Sequence, residues 1–329
     1  MGVGNRLQIR MKNKVQIRVL VLTFLLFIPC SVSHAAETLT LGYTNLRGSK
    51  VPVPLGVDEG IFLRHGIELK MVPVSPGTLG VPKLLAGDID LFLGNSEPVV
   101  RAIAVEQRSL AVIAHLGSEG FMLYSRPGIA RVEDLKGKKI GSSLDGASVD
   151  RNTKKALRRL GLDPEKDVAI VYTGFQNSSD RLKLVAKGEV DATVAGSDAL
   201  PDLGKDIDKV HPLADLLEIG IAVSGADISA EKNLIGRKRE GLRKFISALE
   251  ESFRLARSRP DLVRRTYEKH LKLSNAATLD WMVKDYISAR IPARPTPNPK
   301  VIEAYLEEIL QNKSDVQKDV NHYLDASLF

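Results

Sequence analysis

Between residues 38 and 200 two hydrophobic rhythms alternate along the chain. Thr38–Thr44, TLTLGYT, puts an apolar side chain at every second position and predicts a strand. After the loop NLRGSKVPV, a short helix is predicted from Pro54 to Gly60, running on into IFLRHG. Ile67–Val74, IELKMVPV, predicts a second strand, and Ser75–Thr78, SPGT, a helix start whose hydroxyls can cap free N–H groups. That helix closes at Gly87 and IDLFLG follows as a third strand; PVVRAIAVEQ then predicts a helix and LAVIAHLG a strand. The order restarts at Lys138. KKIGSS predicts a strand, VDRNTKKALRRLG a helix closed by Gly161, and Asp167–Gly174 a strand. SSDRLKLVAKG predicts a helix capped by Ser178 or Ser179, and VDATVAG the last strand. Such alternation implies parallel sheets covered by helices on both faces.

Two stretches repeat at residue level. LLAGDIDLFLGNSEP (Leu84–Pro98) and LVAKGEVDATVAGSDALP (Leu184–Pro201) move in step when Gly87 is set on Gly188. Asp88 then meets Glu189, Asp90 meets Asp191, Ser96 meets Ser197 and Glu97 meets Asp198. Regular spacing within one large sheet is the alternative; the restart at Lys138 together with the echo favours two similar lobes. From Ile235 the periodicity becomes wholly helical, broken at Pro260, Ser274-Asn275 and IPARPTPNP. These helices need a surface to pack on, and the first lobe is the expected one, with the second lobe inserted into it. The chain crosses over near Phe121–Arg126 and Ile221–Ser229. The expected division is a leader over 1–35, the first part of lobe 1 over 36–122, lobe 2 over 123–224, and the return with the C-terminal helices over 225–329. The expected fold class is α/β, with two lobes of mostly parallel sheet hinge-linked around a ligand cleft.

The first 35 residues change the charge. Arg6, Arg10, Lys12, Lys14 and Arg18 form a positive segment without acids, and Val19–Ile28 is an apolar stretch of signal-peptide length. Ser33 and Ala35 place small residues before a cleavage point at Ala36. A cleaved export signal and a periplasmic location are expected; an uncleaved anchor is the alternative. Cys30 follows Phe27, Ile28 and Pro29, which is not the leucine-plus-small pattern of a lipidation site. The leader carries five of the 47 basic residues and none of the 40 acids, so the remainder is 42 against 40 and near neutral. A nucleic-acid partner therefore loses its support, and the runs KKALRR and GRKREGLRK read as solvated helix faces. Cys30 is the only cysteine, so a processed chain has no disulfide, no Cys metal site and no thiol nucleophile.

There is no G-x-G-x-x-G, P-loop or G-x-S-x-G, and the histidines are scattered. No catalytic residue, metal ligand or cofactor is predicted. The acids of GDID and GEVD precede strands, whereas open α/β sheets bind ligands beyond the carboxyl ends of their strands. Those ends carry Thr44, Asn45 and Arg47; Ser75 and Thr78; Asn95, Ser96 and Glu97; Ser142, Ser143, Asp145 and Ser148; Gln176 and Asn177; and Ser197 and Asp198. For any one of them helix capping is an equal explanation. As a set turned toward one cleft they make a polar pocket, with Tyr43, Tyr124 and Phe175 as its apolar walls.

GVDEGIFLRHGIELKMVPV, LLAGDIDLFLGNSEPVVRA, VEDLKGKKIGSS, ALRRLGLDPEKDVAIV and LVAKGEVDATVAGSD, within Leu39–Asp198, resemble the periplasmic-binding-protein superfamily. The likeness is to its nitrate, sulfonate and taurine importer binding proteins, which share a domain with thiamine-pyrimidine precursor proteins. The resemblance implies a monomeric, extracytoplasmic receptor that closes over a small molecule and delivers it to an ABC permease in the inner membrane, without chemistry of its own. It implies ligand contact from Thr44, Asn95, Ser96, Glu97, Ser142, Ser143, Ser148, Ser197 and Asp198. Glu97 and Asp198 depart from what a simple anion prefers. If both face the cleft, an amine or ring N–H ligand is favoured unless Arg47 compensates; if they cap helices or bridge the lobes, nothing follows about the ligand. A ligand sensor partnered with a membrane signalling protein is the alternative, and a pyrimidine-precursor enzyme, which uses cysteines, a more distant one.

Overall fold

The computed structural model describes residues 36–329 apart from Asn45, Arg47, Pro76, 118–119, Leu217, 222–225, 273–275 and 288–290, and apart from the side chains of Asp198, Ala277, Thr278, Asp285, Glu308, Gln311 and Asn312. The leader expected over residues 1–35 lies outside the described residues. The strands are β1 (Glu37–Tyr43), β2 (Ile67–Pro73), β3 (Leu91–Gly94), β4 (Leu110–His115), β5 (Phe121–Ser125), β6 (Lys139–Ser142), β7 (Ala169–Tyr172), β8 (Ala192–Gly196), β9 (His211–Asp215) and β10 (Asp227–Glu231). They form two five-stranded sheets, ordered β2-β1-β3-β10-β4 and β7-β6-β8-β5-β9. In the first, Leu41 pairs with Met71 and Leu91 in parallel; in the second, Ile140 pairs with Ile170 and Ala192. The strand that enters each sheet from the other lobe, β10 or β5, runs antiparallel to both its neighbours. The two lobes are therefore the same mixed sheet built twice, as the echo predicts.

Helices cover the first sheet on both faces. Among the described residues its α-helices are α1 (Pro52–Asp58), α2 (Ile61–Arg64), α3 (Gly80–Ala86) and α4 (Glu97–Glu106). The second lobe has α5 (Ser148–Arg159) and α6 (Ser178–Lys187). The C-terminal region contributes α7 (Lys232–Arg237), α8 (Arg239–Ser258), α9 (Pro260–Leu271), α10 (Ala276–Asp285) and α11 (Pro299–Asn312). Phe245, Ile246, Leu249 and Phe253 of α8 fill one face of the first sheet with Leu39, Leu41, Leu91 and Ile228. The Phe62 and Phe245 rings stack there at 5.4 Å. Val301, Ile302, Tyr305 and Ile309 of α11 close the other face against Val99, Val100 and Ile103 of α4. Each such side chain taken out of water contributes about 1.5–3 kcal/mol, which is why the C-terminal helices belong to the first lobe. The second lobe has its own cores around Leu123, Ile140, Leu157 and Val194 and around Tyr124, Leu182 and Val185.

Several local expectations are corrected. The helix predicted from Pro54 through IFLRHG is two helices, because Gly60 adopts φ 65° between them. α3 follows a 3-10 turn at Gly77–Leu79 and has Leu79 as N-cap with no side-chain bond, so the hydroxyls of Ser75 and Thr78 do not cap it. The cap of α6 is Asn177, whose side chain accepts from the Asp180 N–H at 2.8 Å. Ser178 instead accepts the Gly196 N–H at 3.0 Å, tying α6 to the end of β8. The two crossovers are themselves strands, β5 and β10, and β9 was not anticipated at all. FMLYS and DISAE have no two-residue alternation because the sheet buries most of both, and β9 carries Pro212, which an edge strand tolerates.

Candidate functional site

The two ends of each sheet do different work. At the amino ends, the repeated aspartates complete the ladders. Asp90 accepts the Thr40 N–H at 2.8 Å and donates its own N–H to Thr40 O at 2.9 Å. Asp191 does the same with Lys139, at 2.8 Å in both directions. Each carboxylate also holds a cation, Lys238 at 3.0 Å and Arg126 at 2.7 Å. Burial pushes the Asp191 carboxyl up, but the Lys139 N–H and the Arg126 guanidinium outweigh it and the net shift is downward. These acids are structural, as their place before the strands implies.

At the carboxyl ends, most of the predicted polar side chains are already engaged. Asn95 Oδ1 accepts the Glu97 N–H at 2.8 Å and the Tyr305 hydroxyl at 3.0 Å. Ser96 is buried and donates to Asp227 Oδ2; the other oxygen of Asp227 lies 2.7 Å from His115 Nδ1. That chain joins the end of β4 to the start of β10, the two points where the backbone leaves and re-enters the first sheet. Ser49 adds a second tie there, donating to Gly117 O at 3.3 Å. Thr44 ends β1 half-buried, and a Cβ placed on Gly77 would stand 3.0 Å from its methyl group, so the turn after β2 lies over it.

Glu97, the first residue of α4, receives Arg101 Nε on one oxygen at 3.0 Å. Its other oxygen receives Arg151 Nη2, from α5 of the second lobe, at 3.2 Å. The carboxylate thus bridges the lobes and is matched by two guanidinium groups. This is the alternative under which Glu97 carries no argument against an anionic ligand.

In the second lobe Ser142 donates to the buried Asp150 at 3.2 Å, and Asp150 also accepts the Gly146 N–H at 3.0 Å and Lys154 Nζ at 3.0 Å. Tyr172 donates to Asp145 at 2.8 Å and takes Lys154 Nζ at 2.9 Å. The Tyr172 hydroxyl first, then Asp150, hold the Lys154 ammonium above the usual lysine range. Ser143 is different: its hydroxyl is buried and has no hydrogen-bond partner among the described residues. It occupies in β6 the place Thr44 has in β1, by the pairing of Leu41 with Leu91 and of Ile140 with Ala192. Ser148 is half-buried as the first residue of α5, and Ser197 is buried, its N–H donated to Gly120 O at 2.7 Å. Asn45, Arg47 and the Asp198 side chain lie outside the described residues. Of the apolar walls expected, Tyr124 is buried in the second-lobe core, Tyr43 packs on the first-lobe core, and Phe175 is exposed.

Sequence reasoning missed the cations. Arg181 is wholly buried, and its Nη1 donates to the carbonyls of Phe175, Gln176 and Asn177 at 2.9, 2.9 and 3.0 Å. Its Nη2 donates to Val194 O at 3.1 Å. Burial pulls its guanidinium down to about 10. Arg101, Arg151 and Arg181 lie inside predicted helices, and nothing in their spacing marks them. Among the described residues no cluster of three or more His, Cys, Asp or Glu is placed to hold a metal, and no helix is long and apolar enough to cross a membrane.

Two similar mixed sheets, joined by two crossing strands, define the periplasmic-binding-protein architecture. The chain belongs to the NMT1/THI5-like family, whose model matches residues 51–262. No curated protein sequence matches it. Among solved structures it is similar to the periplasmic aliphatic sulphonate binding protein SsuA of Escherichia coli, with 19% identity over 88% of this chain and 92% of that one and a TM-score of 0.68. It is similar to the alkanesulfonate-binding protein SsuA of Xanthomonas axonopodis pv. citri bound to MOPS, with 17% identity, 90% and 99% coverage and a TM-score of 0.63. The periplasmic nitrate-binding protein NrtA of Synechocystis PCC 6803 has 10% identity, 89% and 87% coverage and a TM-score of 0.66.

Proposed function

We propose that this chain is the extracytoplasmic substrate-binding component of an ABC importer, exported with loss of residues 1–35 and working as a monomer beside an inner-membrane permease. The observation that carries this reading is the Glu97–Arg151 contact between the first turns of α4 and α5, one helix in each lobe. An ion pair joining two bodies that are otherwise linked through crossing strands suits a cleft that opens and shuts. The bodies that move are residues 36–122 with 225–329, and 123–224. The ligand lies between them, within reach of Thr44 and Ser143, whose place at the ends of β1 and β6 makes them the pair on either side of it. Sulfonates and nitrate are the first candidates, since neighbours of the same fold are named for them, and Glu97 is no obstacle once two arginines match its charge. No bond is made or broken.

The test is thermal shift of the purified protein against sulfonates, nitrate, amino acids and pyrimidines, followed by uptake with the cognate permease in vesicles. A stabilising compound whose effect Ser143→Ala weakens, and whose uptake needs this protein, supports the proposal. Unaided turnover of any compound, or uptake indifferent to the protein, refutes it.

A further inference from the structure

The Glu97 carboxylate joins one helix of each lobe. Glu97 opens α4, and its side chain is 10% exposed between Arg101 of the same helix and Arg151 of α5. Both guanidinium groups keep part of their surface in water, 44% for Arg101 and 32% for Arg151. Glu97 and Arg151 lie in the first turns of their helices, where the helix dipole favours an anion, and neither Ser96 nor Ala147 caps those turns with its side chain. Asp150, next to Arg151, does not draw on it in the same way. Its carboxylate is taken by Ser142, the Gly146 N–H and Lys154.

The two contacts of Glu97 differ in what holds them. Arg101 stands four residues further along α4, so it stays beside Glu97 whatever the lobes do. Arg151 comes from the other lobe and leaves when the lobes part. An acid that enters between the lobes can therefore take Arg151 while Glu97 keeps Arg101. Arg151 then exchanges one carboxylate for another anion, and no charge is stranded. Stranding a partly buried charge is expensive, whereas exchanging its partner is not. Glu97 thus has the two alternative arrangements that a competitor for Arg151 needs.

We infer that Arg151 is the specificity residue for an acidic group on the ligand, and that Glu97 is its internal competitor, occupying the guanidinium until that acid displaces it. This rests on the receptor reading above and assigns a role within it. An anion then binds only by outcompeting a carboxylate already in place. Its apparent affinity is lowered by the fraction of molecules in which Glu97 holds Arg151.

The test is titration with methanesulfonate, acetate, nitrate and inorganic phosphate, followed by thermal shift at constant ionic strength made up with sodium chloride. Glu97→Gln keeps the shape of the side chain and should bind at least one of these anions about ten-fold tighter than the wild type. Arg151→Ala should bind the same anion about ten-fold weaker. Arg151→Ala also loses the bond to Gly146 O, so Arg151→Lys, which keeps a cation there, carries the comparison if α5 is unsettled; it should weaken binding about three-fold, since an ammonium lacks the paired fork of a guanidinium. Glu97→Gln and Arg151→Ala break the same contact, so a contact that only braces the lobes moves affinity in one direction in both. A change of the same sign in both, or no change in either, overturns the inference and leaves the receptor reading standing. Failure of all four anions to bind Glu97→Gln overturns it as well. The receptor reading falls separately, on the vesicle uptake experiment.

Discussion

If the Glu97–Arg151 pair is a strut between the lobes, breaking it shifts the protein toward open forms. At 3.2 Å and an effective dielectric near 20, the bare Coulomb attraction is about 5 kcal/mol. Much of that is lost. Arg101 shares the carboxylate, a third of the Arg151 side chain remains in water, and ordering two long side chains costs entropy. A net contribution of about 1.4 kcal/mol remains, which is a ten-fold change in the ratio of closed to open forms. Arg151→Ala also removes a bond to Gly146 O at 2.5 Å, so Glu97→Gln, which leaves that bond in place, is the necessary companion.

The assay is single-molecule energy transfer between dyes on cysteines introduced at exposed positions of each lobe, Glu68→Cys and Lys166→Cys, in a Cys30→Ser background. Both Arg151→Ala and Glu97→Gln should move the distance distribution toward the open form, and the double variant should do no more than either alone, since the two act on one contact. Raising salt toward 1 M, where the screening length is about 3 Å, should produce part of the same shift in the wild type. A wild-type distribution in both single variants, or additive effects in the double, refutes the strut.

Three further outcomes follow from the geometry. Asp191→Ala should cost about 2–3 kcal/mol, from a charged backbone hydrogen bond and a half-exposed ion pair, read as a lower urea midpoint. Because the folded state holds the Asp191 carboxyl down, that contribution is present above the ordinary aspartate range and disappears as pH falls through the folded value; a wild-type advantage that does not shrink as pH falls below the ordinary aspartate range contradicts the assignment. Gly42→Ala should cost about 1–3 kcal/mol by overpacking, since the new Cβ stands 2.6 Å from Ile89 Cδ1 and 2.9 Å from Val74 Cγ2. Its counterpart Gly141→Ala meets Val190 at 3.0 Å and should cost less, so equal thermal shifts would undo the comparison. Tyr286→Phe removes a buried hydroxyl that has no partner among the described residues and should leave stability unchanged or raise it by up to about 1 kcal/mol; a drop in melting temperature would reveal a partner.

The parts of the fold legible in the sequence are those whose burial is one-sided. TLTLGYT alternates because β1 shows its faces unequally to core and solvent, and the C-terminal helices carry apolar stripes because α8 and α11 each cover one face of the first sheet. The crossing strands have no such asymmetry: Asp227, Ile228, Ser229 and Ala230 are all buried, and a run with two polar members does not read as a core strand. Asp227 is tolerated there only because Ser96 and His115 meet it, from positions 131 and 112 residues away. The cations were hidden differently. Arg151 meets Glu97 across the lobes, a contact with no local signature, and Arg181 turns back on three carbonyls four to six residues before it, which its place in a polar helix does not announce. The hydroxyls were easier to find than to interpret. Strand-end position picked out Ser142 and Ser143 together, and only the Asp150 contact distinguishes the one that is engaged from the one left unpaired.

The repeated GDID and GEVD have a physical reason to recur that is independent of any ligand. β3 and β8 are short, and β1 and β6 extend past them by a residue whose N–H would otherwise face no strand. An aspartate one position before the short strand supplies the missing acceptor, and its charge draws a cation from the segment that follows each crossing strand, Arg126 after β5 and Lys238 beyond β10. The clamp therefore fastens the amino ends of both sheets to the chain that comes from the other lobe, while the carboxyl ends are left to short loops. A rigid end and a loop-bearing end are what a hinged receptor requires, because the residues that meet a ligand must keep their spacing within each lobe while the lobes turn. The loops after the repeats are free to differ: Asn95-Ser96-Glu97 is bonded to Tyr305, Asp227 and Arg151, whereas Ser197 hands its N–H to the crossing segment at Gly120. The echo in the sequence is thus the shared geometry of the fixed ends, and it runs on through Ser96 and Ser197 into loops whose contacts differ.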